Sequence, residues 1–342
     1  MTDPAPAVLG PAARPPTRRP DSVRRTSTLL MTWPDGIFSG LRLEGRCRDL
    51  RTGPGGRPEV LGQSDLVART TLDRTIESIT APGAAPDLSP LAGARAGGRL
   101  RSAIADVAPG LRERGDPLYL LLDDLAGSSL IAGFAWFRWR DHLPELARLR
   151  DRMPRRSMQG ICSGFRPGAS SLNPDGSQSD IGHAVAAVPP LIDPDDPIGW
   201  HELPAPPQMA MRRARRIDVW REGDTLHIDA MFRDGCWEPD GTEIAVHEYQ
   251  VLATAGALDG RLLSVEALPR VLPFTECPLA APNVTVLEGV AMPDLREVVL
   301  DRLKGVPGCT HLNDALRALA EVPVLAAALE RDTPARGDKR LR

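Results

Sequence analysis

Apolar and polar residues alternate in the stretch GLRLEGRCRDL at residues 40–50, and this period of two is typical of a half-buried strand. Other β-type runs, bounded by Gly, Pro and Asp turns, lie at residues 25–33, 64–80, 216–234, 243–255 and 261–274. Helices are predicted at residues 97–107, 117–126, 279–289, 294–304 and 311–328. Because each group of strands is followed by a group of helices, the pattern predicts an α+β fold.

The two halves of this pattern resemble each other in sequence as well as in order. Residues 80–93 (TAPGAAPDLSPLAG) and residues 276–289 (ECPLAAPNVTVLEG) share six identical pairs without a gap. Collinear matches continue on both sides, among them Arg48-Asp49 with Arg233-Asp234. A repeat of this length predicts two related antiparallel β-sheet plus helix units that pack with pseudo-two-fold symmetry, like a dimer fused into one chain.

The predicted organisation places these two units between short tails. The segments are a disordered tail (1–22), a first β/α copy (23–149), a Pro/Gly-rich connector (150–212), a second β/α copy that carries the site (213–330) and a second disordered tail (331–342). The connector is long for a compact fold, which leaves a lid over the site, a strap around both halves and a simple linker as open alternatives.

Composition narrows the class of protein. A chain of 342 residues with 42% hydrophobic residues is able to bury a sizeable core, and its net charge of −3 gives no electrostatic case for nucleic acid. Five cysteines without a CxxC motif make neither a disulfide framework nor a zinc ribbon. The arginine runs at residues 14–25 and 212–216 are interpreted as solvated strand flanks, with a docking surface for an anionic ligand as the alternative.

The sequence gives no sign of a membrane partner. Residues 1–25 lack the apolar core of a signal peptide, and the longest apolar stretch, residues 125–137, is short for a bilayer. We therefore expect a cytoplasmic protein that acts on a small molecule, with its oligomeric state left open.

The clearest candidate for chemistry is Gly308-Cys309-Thr310-His311, directly before a predicted helix. Unpaired N–H groups at a helix start favour negative charge, so a Cys309 thiol there is expected to have a lowered pKa. The same groups, together with Thr310, are predicted to bind an anionic group of the substrate. The alternative is that Thr310 caps the helix and Cys309 is a small buried hydrophobic residue.

A second candidate is His247-Glu248-Tyr249 on a predicted strand, where alternation puts His247 and Tyr249 on one face and Glu248 on the other. His247 is the predicted general base, because the ordinary pKa of histidine lies near 6.5. Tyr249 is expected to contact substrate.

Glu276 and Cys277, which have no counterpart in the first unit, are predicted to orient the catalytic groups and to bind substrate, respectively. Arg233 and Asp234 are present in both units, and we interpret them as a structural ion pair, with substrate binding as the alternative.

A metal site has little support from spacing. His227, His247, His311 and a cysteine form a possible ligand set, but no HExxH or CxxC motif accompanies them. No metal or other cofactor is therefore predicted, and a metal-dependent enzyme remains an alternative.

The Gly-Cys-Thr-His-Leu stretch at residues 308–312, the FRDG and HEYQV strands and the LPFTECP turn resemble Domain of Unknown Function family 2889. The resemblance covers most of residues 210–328 and implies no established reaction. It does imply a catabolic setting that involves hydrophobic acids or terpenoid or steroid-like compounds.

These residues together predict a catabolic hydrolase or lyase for a small hydrophobic carboxylic, acyl or lactone substrate. In this hypothesis His247 is the general base, Cys309 or His311 is the nucleophile or acid, and Glu276 orients them. A non-catalytic ligand-binding or assembly protein is the main alternative. Convergence of these four side chains on one pocket favours the enzyme, and their separation favours the binding protein.

Overall fold

One antiparallel sheet holds every named strand among the residues that the structure describes, which are 6–83, 86–146, 156–179 and 183–330. The structure is a computed structural model. The strands are β1 (Ser22–Thr32), β2 (Leu41–Thr52), β3 (Pro58–Thr70), β4 (Ile76–Thr80), β5 (Ala186–Ala187), β6 (Ala210–Glu222), β7 (Thr225–Trp237), β8 (Glu243–Gly256) and β9 (Leu262–Val271). Together with the helices below, this sheet confirms the α+β prediction.

β1 and β6 lie side by side at the centre and join the two halves of the sheet. They pair antiparallel along their length, from Ser22 opposite Trp220 to Thr32 opposite Ala210. The order across the sheet is β4-β3-β2-β1-β6-β7-β8, and both β5 and β9 pair with β8. This order is compatible with two four-stranded units, and the pseudo-two-fold relation between them stays a prediction.

Among the irregularities of strand pairing, one β-bulge in each half lies next to a buried aspartate. In the first half it follows the pair Asp49–Gly62, and in the second it follows the pair Asp234–His247, where Val246 is the extra residue. Bulges re-aim side chains and are common next to functional sites. The second bulge leaves His247 directly across from Asp234.

Helices cover one face of the sheet. They are α1 (Leu100–Val107), α2 (Pro117–Ile131), α3 (Gly133–Trp139), α4 (Leu295–Arg302), α5 (Thr310–Ala318) and α6 (Val322–Ala327). The central helix α2 packs across β1, β2 and β3, whereas α5 packs across β7 and β8.

The helical stretch Pro117–Trp139 is longer than the segment predicted at residues 117–126. It has 23 residues, and its most apolar 18-residue window has a mean hydropathy of 1.4, enough in length and composition to cross a membrane, but 72% of that window is buried inside the fold. A helix that is apolar on all sides is expected at the centre of a protein core. The burial indicates such a core helix.

Two predicted helices differ from the structure where prolines occur. The segment predicted at residues 279–289 is a 3₁₀ helix, Cys277–Leu287, with Pro282 inside it. The helix predicted at residues 311–328 ends at Ala318 and resumes at Val322, with a proline in the first turn of α6. Proline removes a backbone N–H and clashes with the preceding turn, so it shortens or ends a regular helix.

The N-terminal segment crosses the opposite face of the sheet. The Leu9 N–H donates to the Pro269 carbonyl at 2.9 Å, and Arg18 pairs with Asp196 at 2.9 Å. Residues 6–21 were predicted as part of a disordered tail, but these contacts hold them against the fold.

The connector covers the same face. Trp200 is 2% exposed and packs with Leu191, Ala214 and Met231. The ring of His201 lies between the hydroxyls of Thr26 and Thr28, at 2.9 and 2.7 Å. Of the alternatives left open by the sequence, the described part of the connector behaves as a strap.

The arginines at residues 24–25 of β1 and 212–216 of β6 are buried, which corrects the prediction of solvated strand flanks for them. Arg25 and Arg213 are each 1% exposed. Arg25 pairs with Asp49 at 2.6 Å and with Glu321, from the helical layer, at 2.9 Å. Because a buried charge needs a partner, each arginine ties the sheet to a carboxylate.

Candidate functional site

Asp234 lies in a buried ion-pair network between the sheet and the helical layer. Arg213 on β6 donates from Nε and Nη2 to its two carboxylate oxygens, at 2.8 and 3.0 Å. Arg213 also contacts Asp124 of α2 at 3.5 Å and Asp314 of α5 at 3.0 Å. Burial lowers the pKa of the Arg213 guanidinium, but the attraction of these carboxylates outweighs it and the pKa is raised. The bidentate contact with charged Arg213 fixes the orientation of Asp234.

Two imidazoles lie beside the Asp234 carboxylate. His247 Nδ1 is 3.8 Å and His311 Nε2 is 3.6 Å from the same oxygen, Oδ2. The two rings stack with their centroids 3.5 Å apart and an interplanar angle of 16°. His247 reaches this point from β8 at the bulge, and His311 reaches it from the first turn of α5. We call Asp234, His247 and His311 the His–Asp centre.

Both imidazoles of the His–Asp centre are neutral at neutral pH. Burial, together with the charges of Arg213 and Arg215, lowers the pKa of His311 to about 3. Burial also holds the pKa of His247 well below its ordinary value. The neighbouring His311 lowers this pKa as well, whereas the charge of Asp234 raises it and offsets part of the shift. A neutral imidazole has a free lone pair, which is able to accept a proton or to bind a metal.

Gly308 and Cys309 form the turn that presents His311. A Cβ atom on Gly308 would lie 1.9 Å from the Leu303 carbonyl oxygen, so the close approach of these two segments requires glycine. Cys309 is the N-cap residue of α5, and its carbonyl accepts from the Asn313 N–H at 2.7 Å. Asn313 also donates from Nδ2 to the Leu303 carbonyl at 2.8 Å, which locks the start of the helix.

The Cys309 thiol is buried beside His311, with Sγ 4.0 Å from His311 Nδ1. Burial raises the pKa of Cys309 to about 11. The lowered pKa predicted from the helix N-terminus is therefore wrong, because desolvation of the thiolate outweighs the stabilising backbone N–H groups. The thiol is protonated at neutral pH.

Tyr249, Cys277 and Cys162 line the same region. Tyr249 is fully buried, and burial together with the Cys309 and Cys277 thiols raises the pKa of its hydroxyl. A Cβ atom on Gly164 of the connector would lie 2.7 Å from Cys277 Sγ and 3.8 Å from Cys162 Sγ. The connector backbone therefore closes directly over these thiols.

This region falls inside a segment that matches a family model. The match spans residues 211–325, and the family is described as Protein of unknown function (DUF2889). The match covers about a third of the chain, and we call the matched residues the DUF2889 domain. The resemblance found in the sequence is confirmed for this segment. No curated protein and no solved structure matches the chain.

Glu276 of the DUF2889 domain is engaged by the connector rather than by the imidazoles. The backbone N–H and the hydroxyl of Ser170 donate to its two carboxylate oxygens, at 2.8 and 2.9 Å. These hydrogen bonds, which outweigh the effect of burial, lower the pKa of Glu276. The structure thus brings His247, Cys309 and His311 together and leaves Glu276 as an anchor for the connector.

Thr310 is exposed at the edge of the centre, with Oγ1 3.4 Å from His311 Nδ1.

Arg233 and Asp234 do not pair with each other. Arg233 donates to Glu248 Oε2 at 2.7 Å and to the Pro189 carbonyl at 3.0 Å, on the connector side of the sheet. Consecutive strand residues point to opposite faces, so each of the two has its own partner. The prediction that His247 and Glu248 occupy opposite faces agrees with these contacts.

His227, part of the metal-ligand set considered from the sequence, lies elsewhere. Its ring stacks on Trp220 with centroids 5.3 Å apart, near Glu222. The third residue beside His247 and His311 is Asp234 instead of His227. One possible ligand atom from each of Asp234, His247 and His311 lies within 4.8 Å of the others.

The first half of the chain contains a similar arginine–aspartate pair without imidazoles. Arg25 donates from Nε and Nη2 to the two oxygens of Asp49, both at 2.6 Å. The residue across from Asp49 is Gly62, whereas His247 lies across from Asp234. The bidentate pair therefore serves as a structural element without histidine, and the imidazoles of the DUF2889 domain are an addition to it.

Two clefts of about 570 and 490 Å³ lie outside the His–Asp centre. Trp33 and Trp136 line the first, and Arg101 and Arg296 line the second. Access to the centre is at the edge marked by exposed Thr310, where 17% of the His311 side chain is exposed.

Proposed function

We propose that the protein is an enzyme of the hydrolase or lyase class with its active site at the His–Asp centre. The observation that carries the proposal is the convergence of two neutral imidazoles, from β8 and α5, on one oxygen of Asp234. His247 Nδ1 is buried and makes no hydrogen bond within the described residues. A buried polar atom without a partner costs free energy, and such atoms are concentrated at functional sites.

His311 has the geometry of a general base. Its Nε2 faces Asp234, 3.6 Å away. The negative charge of Asp234 would favour the imidazolium that forms when Nδ1 accepts a proton, against the burial and the charges of Arg213 and Arg215 that lower the pKa of His311. Nδ1 faces Cys309 and the exposed edge at Thr310, which is the side open to solvent. The ring of His247 stacks on the ring of His311 and keeps it oriented towards Asp234.

Hydrolysis of an acyl substrate would then proceed as follows. A water molecule loses a proton to His311 Nδ1 while its oxygen attacks the acyl carbon. The bond from that carbon to the leaving oxygen or sulfur breaks, and the imidazolium returns its proton to the leaving group. Because the Cys309 thiol is protonated, we assign it to the wall of the site rather than to the attacking group.

A cluster of four aromatic rings near the His–Asp centre supports the proposal that the substrate is hydrophobic. The His183 ring contacts Phe134, Phe137 and Phe274, with centroid distances of 5.2, 5.0 and 5.2 Å. Its electrostatic effect reaches His247 and contributes to the lowered pKa of that residue. Apolar walls with a few polar groups are typical of small-molecule sites. We therefore keep a small hydrophobic carboxylic, acyl or lactone compound as the proposed substrate and catabolism as the proposed role.

The test is a screen of hydrophobic acids, acyl thioesters and lactones with wild-type protein and three variants. We expect His311→Ala and His247→Ala to lower kcat/KM by at least about 100-fold, the usual contribution of acid–base catalysis. His227→Ala is the matched control, since His227 is a histidine of the same sheet that stacks on Trp220 away from the centre. Equal turnover by all four proteins would remove the proposal.

A non-catalytic ligand-binding protein is the second candidate. Two observations favour it: Glu276 lies apart from His247, Cys309 and His311, and neither of the two clefts is lined by His247 or His311. It predicts saturable binding of a hydrophobic acid, measured by calorimetry, without conversion of any compound in the screen.

We also propose that the two halves derive from one duplicated unit and that the protein acts in the cytoplasm. The duplication is supported by the bulges that follow Asp49 and Asp234 and by the bidentate arginine partners of both residues. If so, only the second unit carries the imidazoles.

A further inference from the structure

The geometry points to a binding site for one divalent transition-metal ion, zinc or iron(II), formed by Asp234, His247 and His311. The candidate ligand atoms are Asp234 Oδ2, His247 Nδ1 and His311 Nε2, and the three residues place one ligand atom each within 4.8 Å of the others. Two histidines and one carboxylate are a ligand set that these ions accept, with positions left over for water or substrate.

The distances are close to those of a filled site. Ligand atoms about 2.0–2.2 Å from a tetrahedral ion lie about 3.4 Å from one another. The separations from Asp234 Oδ2 are 3.8 Å to His247 Nδ1 and 3.6 Å to His311 Nε2. Because the two rings stack 3.5 Å apart at an interplanar angle of 16°, they must also tilt for both lone pairs to point at one ion.

A second observation points to a ligand at this place. His247 Nδ1 is buried and has no hydrogen-bond partner among the described residues. The corresponding position in the first half is Gly62, beside an equally well-formed pair of Arg25 and Asp49. Folding of the sheet therefore does not need a histidine there.

The surroundings of the three residues resemble the outer shell of a metal site. Arg213 holds Asp234 through two hydrogen bonds, and Arg213 is itself shared with Asp124 and Asp314. The second ring nitrogen of His311 faces Thr310 Oγ1 at 3.4 Å. Such contacts orient ligating side chains and select the tautomer of a ligating histidine.

This inference rests on the proposed function for its location and deepens it. A bound ion lowers the pKa of a coordinated water molecule, which then replaces proton transfer to His311 as the source of the nucleophile. The imidazoles and Asp234 would then act as ligands, and the open side at Thr310 would admit the substrate.

The test uses full-length protein treated with EDTA, freed of chelator and titrated with zinc chloride by calorimetry. We expect one zinc ion per chain by titration and by elemental analysis. A parallel anaerobic titration with iron(II) distinguishes the two ions. Removal of one ligand is expected to lower the affinity for the metal at least about 100-fold, because loss of even an outer-shell partner lowers metal affinity about 10–100-fold.

The variants are His311→Gln, His247→Ala and, as controls, His227→Ala and Cys277→Ser. The His311 side chain is 17% exposed and that of His247 is 8% exposed, so His311→Gln is the milder test where His247→Ala fails to fold. Stoichiometric binding that persists in His311→Gln, or that is lost in Cys277→Ser alone, would overturn the site. Absence of zinc and iron(II) binding by wild-type protein would overturn it as well.

The outcomes separate this inference from the proposed function. Turnover by metal-free protein retains the enzyme and removes the metal site. Metal binding at the three residues without turnover of any compound in the screen retains the metal site and removes the proposed reaction.

Discussion

The rings of His247 and His311 stack 3.5 Å apart, and both face a single oxygen of Asp234. One residue comes from a strand bulge and the other from the start of a helix, 64 positions further along the chain. Parallel stacking keeps the two rings from moving independently. A substitution that moves α5 relative to β8 is therefore expected to disturb both imidazoles at once.

Among the residues that contact the His–Asp centre, Arg213 is predicted to be the one whose substitution lowers the free energy of unfolding most. Arg213→Met leaves Asp234 buried and uncompensated, which is expected to lower the free energy of unfolding by about 3–5 kcal/mol. The control is Arg221→Met, whose pair with Glu330 is exposed and is expected to contribute less than about 1 kcal/mol. Urea unfolding measures both, and similar losses in the two variants would contradict the account.

His201 is predicted to make stability depend on pH. Burial, followed by the charges of Arg48, Arg46 and Arg212, lowers the pKa of His201 from 6.5 to about 3 in the folded protein. The stability from neutral His201 is present in full above the unfolded pKa of 6.5, and it declines as the pH falls towards 3 because the unfolded chain takes up the proton first.

The slope attributed to His201 is about 1.4 kcal/mol per pH unit between pH 6 and pH 5. We expect His201→Gln to have a free energy of unfolding that falls less steeply over this range, by about that slope. Urea unfolding of both proteins at several pH values provides the measurement. Identical slopes would show that the folded protein takes up the proton as readily as the unfolded chain.

The cysteines are predicted to be unreactive in the folded protein. All five, including Cys309, are buried free thiols, and burial raises the pKa of Cys309 to about 11. A thiol reagent at pH 7.5 is expected to modify less than one group per chain within minutes, and five after unfolding in guanidinium. Rapid modification of Cys309 in the native protein, located by peptide mass analysis, would restore its assignment as a thiolate nucleophile.

Gly308→Ala is predicted to destabilise the start of α5. The added methyl group meets the Leu303 carbonyl, so the turn must move, at an expected cost of about 1–3 kcal/mol. Gly98→Ala is the control, because a Cβ atom there meets no atom within 4 Å. Thermal unfolding distinguishes the two. We also expect Gly308→Ala to weaken zinc binding, since His311 is presented by the same turn.

Periodicity predicted most of the strands and the overall class, because alternation survives wherever one face of a strand is more buried than the other. Alternation is absent from β1, which was predicted at residues 25–33 as a β-type run, because the strap covers one of its faces and the helices cover the other. The arginines at residues 24–25 and 212–216 were misread for the same reason. Local sequence does not reveal that a distant carboxylate, such as Glu321 for Arg25, compensates a charge.

The candidate site was partly predictable. Cys309 and His311 were selected because they stand at the start of a predicted helix, and His247 because the ordinary pKa of histidine suits a general base. The structure brings the three residues together. Asp234 was not paired with His247 in that hypothesis, because the bulge at Val246 shifts the register in a way that no sequence period shows. The thiol pKa was misjudged because burial of the helix start depends on packing of the connector over Cys277 and Cys162.

The central claim is that Asp234, His247 and His311 act as one centre that holds a metal ion. The most direct test is anomalous diffraction at the zinc absorption edge from crystals of the full-length protein grown with zinc. The account predicts one strong anomalous peak between Asp234 Oδ2, His247 Nδ1 and His311 Nε2. An anomalous map with no peak at these three atoms, or with peaks only at surface residues, would contradict it.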